Sequence, residues 1–173
     1  MTNPVRVVQT DTMTLYLGDA ADWPGRYLIP EHVDLILTNP YGPLPIALNG
    51  FPLIAHQWRH RKAEAEIWCH TALTHEVGRW NQGREAFWSA NLPDDLAAKT
   101  VDLSAYAPEP GGWYPEQLVR DLLTVFAKPG MTIFDGFMGR GTVGKIAVEM
   151  GMRYIGVEQL ESHLALARLY LNV

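Results

Sequence analysis

The sequence predicts an α/β fold, a mixed, mostly parallel sheet with helices on both faces, and three observations carry that prediction. The last third of the chain alternates helical and strand periodicities in the order helix, strand, turn, helix, strand, helix. Near the start, VDLILTNP (33–40) is an almost continuous apolar run, the pattern of a central parallel strand covered on both faces. Within the last third, DGFMGRGTVG (135–144) sets Gly139, Gly141 and Gly144 in the G-x-G-x-x-G spacing of a nucleotide-binding turn.

Taken in order, TLYLGDA (14–20) reads as a strand, and 33–40 as the next. From Pro40 to about Trp113 the periodicity dissolves among Pro, Gly and the tryptophans Trp58, Trp68, Trp80, Trp88 and Trp113, and the pattern assigns no elements there beyond some short helices. PEQLVRDLLTVFAKPG (115–130) puts Pro115 at the first helical position and Glu116 in the first turn. Leu118, Leu122, Val125 and Phe126 share one face of that helix, and Pro129-Gly130 stops it. MTIFD (131–135) is a short strand, TVGKIAVEMG (142–151) a helix ending at Gly151, and RYIGVE (153–158) a strand. Leu160, Leu164, Ala167 and Leu171 stripe the last helix.

The 173 residues, 47% hydrophobic and 19% charged, suit one compact domain with a substantial core. The lone Cys69 excludes a disulfide framework within the chain and is compatible with a reducing cytosol. MTNPVRVVQT lacks the basic-then-apolar pattern of a signal peptide, and no apolar run is long enough to span a bilayer, so a cytoplasmic protein without a membrane partner is expected. A net charge of -5 argues against tight non-specific DNA binding by the surface as a whole. It leaves room for a local basic surface, and RHRK (59–62), with Arg59, Arg61 and Lys62, is the dense positive cluster, read either as a solvated face or as a phosphate contact. Cys69, His70 and His75 lack a fourth ligand at usual spacing, so no metal is expected.

Two ligand types compete for the glycine turn. A dinucleotide would set its pyrophosphate on the helix N-terminus at Thr142. Asp135, at the end of the preceding strand, would repel a diphosphate and attract a ligand carrying positive charge, such as S-adenosyl-L-methionine with its ammonium and sulfonium. Gly136, Gly139 and Gly141 let the backbone approach such a ligand closely. Glu158 ends the next strand about 20 residues further on, where a carboxylate can accept hydrogen bonds from both ribose hydroxyls.

If the cofactor half lies at the C-terminal end, the catalytic half comes first, and VDLILTNPYG (33–42) supplies it. With these residues in this order the chain resembles the β-class amino-methyltransferases of DNA, which methylate the exocyclic amine of adenine or cytosine. GDA (18–20) is similar to the family's adenine-contacting motif, and LTNPYG (37–42) to its catalytic loop. WYPEQLVRDLL (113–123) is similar to the H-P-x-Q helix beside the cofactor, FDGFMGRGTV (134–143) to the D-P-F-x-G-S-G-T loop, and RYIGVE to the strand bearing the ribose-binding acid. The matches cover 14–42 and 113–171.

The resemblance implies a Rossmann-like S-adenosylmethionine-dependent methyltransferase fold with circularly permuted motif order. In one domain, 14–42 would be the catalytic half, 43–112 a short target-recognition-like insertion and 113–173 the cofactor-binding half. It implies cofactor contacts at Asp19, Ala20, Tyr114, Pro115, Gln117, Asp135, Gly136, Phe137, Gly139, Gly141, Thr142 and Glu158, and catalytic roles for Thr38, Asn39, Pro40 and Tyr41. DNA is the implied partner, and the compact middle region suggests a second subunit, a homodimer, or relaxed specificity. The loop reads Thr38-Asn39-Pro40-Tyr41 where the family has two prolines. Either Thr38 takes the first position and Asn39 replaces a proline, or Asn39 takes the first position and a residue is missing. Tyr114 stands where the family has His, and Gly136 where it has Pro.

In such a loop a side-chain oxygen and a backbone carbonyl accept hydrogen bonds from the target amine, localising its lone pair toward the methyl donor. Tyr41 offers a face for an extruded base, and Pro40 stiffens the loop. Asn39 followed by Pro40, Tyr41 and Gly42 resembles the adenine-type ending, so N6 of adenine is favoured, with N4 of cytosine as the alternative. Methylation of RNA or of a protein glutamine amide, a catalytically silent nucleic-acid-binding relative, and, last, a dinucleotide oxidoreductase are the competing readings.

Overall fold

The computed structural model describes residues 5–19, 33–39, 53–56, 75–79, 86–90, 92–102, 106 and 113–173. Its first strands are β1 (Val5–Gln9), β2 (Met13–Leu17) and β3 (Leu35–Thr38), followed by β4 (Leu53–His56), β5 (His75–Arg79) and β6 (Ala86–Ala90). A single helical turn, α1 (Asp94–Ala97), precedes the two-residue β7 (Val101–Asp102). The C-terminal part runs α2 (Glu116–Phe126), β8 (Thr132–Asp135), α3 (Thr142–Glu149), β9 (Arg153–Glu158) and α4 (Glu161–Leu171). Among the described residues the strands join one sheet in the order β1-β2-β9-β8-β3-β4-β6-β5-β7.

The middle of that sheet, β2-β9-β8-β3-β4, is parallel throughout. Antiparallel pairs flank it, β1 on β2 at one side and β6 between β4 and β5 at the other. Every residue of β3 and of β8 is buried, so both faces of the two central strands are covered. Leu35, Leu37 and Ile133 join one core cluster with Leu118, Leu122 and Phe126 of α2 and Ile146 and Ala147 of α3. Ile36 and Phe134, facing the opposite way by the period of two, are equally buried. Glu116 of α2 accepts a hydrogen bond from Lys145 of α3 at 2.6 Å and another from the Tyr170 hydroxyl of α4, which links the three helices.

Several expectations shift. The strands expected over 14–20 and 33–40 end at Leu17 and Thr38, which leaves Asp19 and Asn39 just past the carboxyl ends. Pro115 is the N-cap of α2, extended at ψ 130, so that helix begins one residue later than expected. Leu160, expected in the apolar stripe of the last helix, is its N-cap and 50% exposed. The stretch to which the sequence assigns no elements beyond short helices holds the short α1 and also supplies β4, β5, β6 and β7, all within the 43–112 range. Unlike the equally short β3 and β8, these strands lie in a stretch whose Pro, Gly and Trp give no periodic frame, and their pairing comes from sheet neighbours rather than local propensity. Among the described residues, no helix is long and apolar enough to cross a membrane.

Candidate functional site

The strands β8 and β3 are parallel neighbours, but the chain leaves them in opposite directions, β8 continuing to β9 and β3 to β4. Such a switch point opens a crevice at the carboxyl ends of the strands. Asp135 ends β8 there and is 2% exposed. Its Oδ1 accepts from the Thr38 hydroxyl at 2.8 Å and from the Phe137 N–H at 3.1 Å, and the Tyr154 hydroxyl donates to Oδ2 at 3.5 Å. Burial pushes the Asp135 carboxyl up to about 7, with Glu158 adding to the rise and these three bonds opposing it. Burial and the Asp135 charge also hold the Tyr154 phenol well above its ordinary value, so it stays a donor.

A narrow cleft beside Asp135 is lined by Asn39, Trp113, Tyr114, Phe137, Gly139 and Thr142. Thr38 is not part of this wall. Its side chain is fully buried against Asp135, and its carbonyl accepts from the Tyr114 hydroxyl at 3.1 Å. Among the described residues of the loop, Asn39 is therefore the one that the cleft meets.

On the other side of Phe137 lies a cavity of about 380 Å³, lined by Asp19, Gly136, Phe137, Glu158, Leu160 and His163. Glu158 is 7% exposed and fixed by two backbone donors, Gly139 N–H to Oε2 and Leu160 N–H to Oε1, each at 2.8 Å. His163 Nδ1 stands 3.6 Å from Oε1. Cleft and cavity share Phe137, one end holding Asp135 and the other Glu158 and Asp19. The lining is acidic and apolar, which fits an elongated ligand with a cationic end and hydroxyls, and does not fit a diphosphate.

The glycines of the turn are needed for a reason other than ligand approach. Gly139 has φ +56, and a Cβ built there would lie 2.7 Å from the Trp113 ring. Gly141, the N-cap of α3 at φ +88, would meet the Leu171 side chain at 2.8 Å. Trp113 thus seats on the turn, edge-on to His163 with 5.7 Å between ring centroids. Arg140 lies over both Trp113 and Tyr170, 5.9 and 4.9 Å from their centroids, and its Nε donates to the Thr142 hydroxyl at 3.1 Å. Sequence reasoning missed Trp113, Tyr154 and His163. The one available signal was Trp113's place directly before Tyr114-Pro115.

Of the remaining expected residues, Pro115 is buried at the start of α2, next to the cleft residue Tyr114. Gln117 is not brought to the site. It is exposed and donates to Asp121 Oδ1 at 2.8 Å, one turn along its own helix. Ala20, Pro40, Tyr41, Arg59, Arg61 and Lys62 lie outside the described residues.

The sequence model of one protein family, described as DNA methylase, matches residues 57–169. The Type II methyltransferase M.XycI of Xanthomonas campestris pv. cyanopsidis is 22% identical over 132 residues, which cover 76% of this chain and 41% of that protein. The chain thus spans less than half the length of the curated relatives it matches. In fold it is similar to the crystal structure of the M1.HpyAVI-SAM complex, with a TM-score of 0.63 at 17% identity over 93% of this chain and 100% of that one. The cytosine-N4-specific PvuII DNA methyltransferase gives a TM-score of 0.58 at 12% identity over 91% of this chain and 86% of its own.

Proposed function

The chain belongs to the DNA methylase family, and from that premise we propose that it transfers a methyl group from S-adenosyl-L-methionine to N6 of adenine in DNA. The observation that carries this reading is the meeting of Asn39 and Asp135 on one cleft at the switch point of the sheet. When bound, S-adenosylmethionine supplies an activated methyl group. Asp135 and Glu158 suit its two ends, the first facing an ammonium and the second, already oriented by Gly139 and Leu160, accepting from ribose hydroxyls. Asp19 and Leu160 line the same end of the cavity and suit an adenine.

Asn39 is a side-chain acceptor for the target amine. A hydrogen bond from one N–H to its Oδ1 draws the nitrogen lone pair out of conjugation and aims it into the cleft. Asn39 accepts without taking the proton, which leaves to solvent after transfer. Rate then comes from alignment of amine and donor, with no covalent intermediate on the protein. The burial of the Thr38 hydroxyl against Asp135 supports Asn39 as the first residue of the catalytic loop, and with it the adenine-type ending. Pro40 and Tyr41 complete the loop, Tyr41 as the stacking face. Residues 43–112 serve target recognition, with Arg59, Arg61 and Lys62 on phosphates, and a second subunit completes the DNA contact in the cytoplasm.

The test is incubation with labelled S-adenosylmethionine and mixed DNA, followed by identification of the modified nucleoside. N6-methyladenine is expected, and N4-methylcytosine would overturn the base assignment. Asn39→Ala should lower turnover at least tenfold and leave cofactor affinity nearly unchanged, because its acceptor acts on the amine rather than on the donor. Cofactor binding without transfer to any nucleic acid would instead identify a silent relative.

A further inference from the structure

The central strands are tied to each other at both ends. Where they begin, the Thr132 N–H donates to Asp34 Oδ2 at 2.8 Å, and the Asp34 N–H donates to the Thr132 carbonyl at 3.0 Å. Where they end, the Thr38 hydroxyl donates to Asp135 Oδ1 at 2.8 Å, and the Tyr114 hydroxyl donates to the Thr38 carbonyl at 3.1 Å. All three residues of this second tie are at most 5% exposed. Thr38 is the last residue of β3, so the ties hold it by side chain and main chain just where the chain turns to Asn39.

We propose that Thr38 is a positioning residue whose hydroxyl, bonded to Asp135, and whose carbonyl, bonded to Tyr114, couple the cofactor acid to the placement of Asn39. The proposal rests on the methyltransferase assignment above. A hydroxyl has one proton to donate, and here Asp135 takes it. Any ligand that draws on the Asp135 carboxylate therefore pulls on the strand end that carries the catalytic loop. Conversely, the loop's anchor favours the charged form of that carboxyl against the burial that raises it. The groups facing Asp135 are Thr38 from β3, the Phe137 N–H from the turn, and Tyr154 and Glu158 from β9. Glu158 pushes the carboxyl up, the other three pull it down, and the Thr38 bond is the largest of those pulls.

Thr38→Val keeps the shape and removes the donor, whereas Thr38→Ser keeps the donor. The first measurement is the carboxyl-carbon NMR titration of Asp135 in the ligand-free protein. The midpoint should rise by about one pH unit in Thr38→Val, return in Thr38→Ser, and stay near wild type in Tyr114→Phe. The second is S-adenosylmethionine affinity, expected to be about tenfold weaker than wild type in Thr38→Val at pH 6 and within about threefold at pH 8.5, where most of the carboxyl is ionised in both. The third is turnover at saturating cofactor, expected to fall about tenfold in both Thr38→Val and Tyr114→Phe, as loss of catalytic-loop positioning predicts. An unmoved titration in Thr38→Val would overturn the proposal, as would wild-type turnover in Tyr114→Phe, which decides the matter even if the valine variant fails to fold. If the wild type bound no S-adenosylmethionine, the methyltransferase assignment would fall, while the ligand-free titration would still decide the Thr38 tie.

Discussion

Asp135 shows how one buried carboxyl links stability to ligand binding. Its midpoint in the folded protein, about 7, lies above the ordinary 3.8, so between those values the folded chain holds a proton that the unfolded chain has released. The sign follows from linkage: this group's contribution to stability is fully present below about pH 4, falls as pH rises, and is lost above about 7. Urea unfolding of the ligand-free protein at pH 5 and at pH 7.5 should show the decline, and Asp135→Asn should flatten it. Binding of a cation reverses the demand, since the carboxylate is then the useful form. Affinity for S-adenosylmethionine should therefore rise with pH up to about 7 and level beyond. Glu158→Ala should weaken the same affinity by about 1.5–3 kcal/mol by removing hydrogen bonds to a charged acceptor. Calorimetry that found no change in Glu158→Ala would remove this carboxylate from the cofactor site.

At the scale of elements, the glycine turn is shaped by what packs on it. A methyl group at position 139 would meet the Trp113 ring at 2.7 Å in addition to the strain of φ +56. Gly139→Ala should cost about 2–5 kcal/mol in denaturant unfolding, the sum of overpacking and left-handed strain. In a Trp113→Ala background the steric part should vanish, leaving about 1 kcal/mol, so a double-mutant cycle should show coupling between the two positions. The turn itself was legible in the sequence, but Trp113 was not, because contact across about 26 residues leaves no local periodicity. The same physics separates what was read well from what was not. The helix α2, with Leu118, Leu122 and Phe126 buried at helical spacing, announced itself through a long regular pattern, and the strand Arg153–Glu158 through its place between two helical patterns. By contrast, β4 to β7 are short and depend on their neighbours in the sheet. Leu160 fitted the apolar stripe of α4 by spacing alone, yet as the N-cap it faces the cavity that Glu158 lines. Gln117 fitted a motif, but its place on the outer face of α2 gives it to Asp121.

For the whole molecule, the net charge of -5 sets the terms on which it can meet DNA. A chain of that charge gains nothing from its overall field, so attraction to phosphates must come from a few local cations that displace counterions one contact at a time. Arg59, Arg61 and Lys62 form the dense basic cluster in the sequence, within the range that follows β4 and precedes β5. If each touches a phosphate, neutralising one of them should reduce the log–log salt slope of DNA binding by about one. Neutralising all three should reduce it by about three and weaken binding alike on every sequence, because phosphate contacts position the protein and carry no base information. The nucleoside methylated, and the sequence around it, should stay the same in each variant. Titrations at several salt concentrations with Arg59→Gln, Arg61→Gln and Lys62→Gln, singly and together, measure this directly. A slope equal to wild type in the triple variant would return the cluster to an ordinary solvated face, and the phosphate contacts would then have to come from other cations of the chain or from a second subunit.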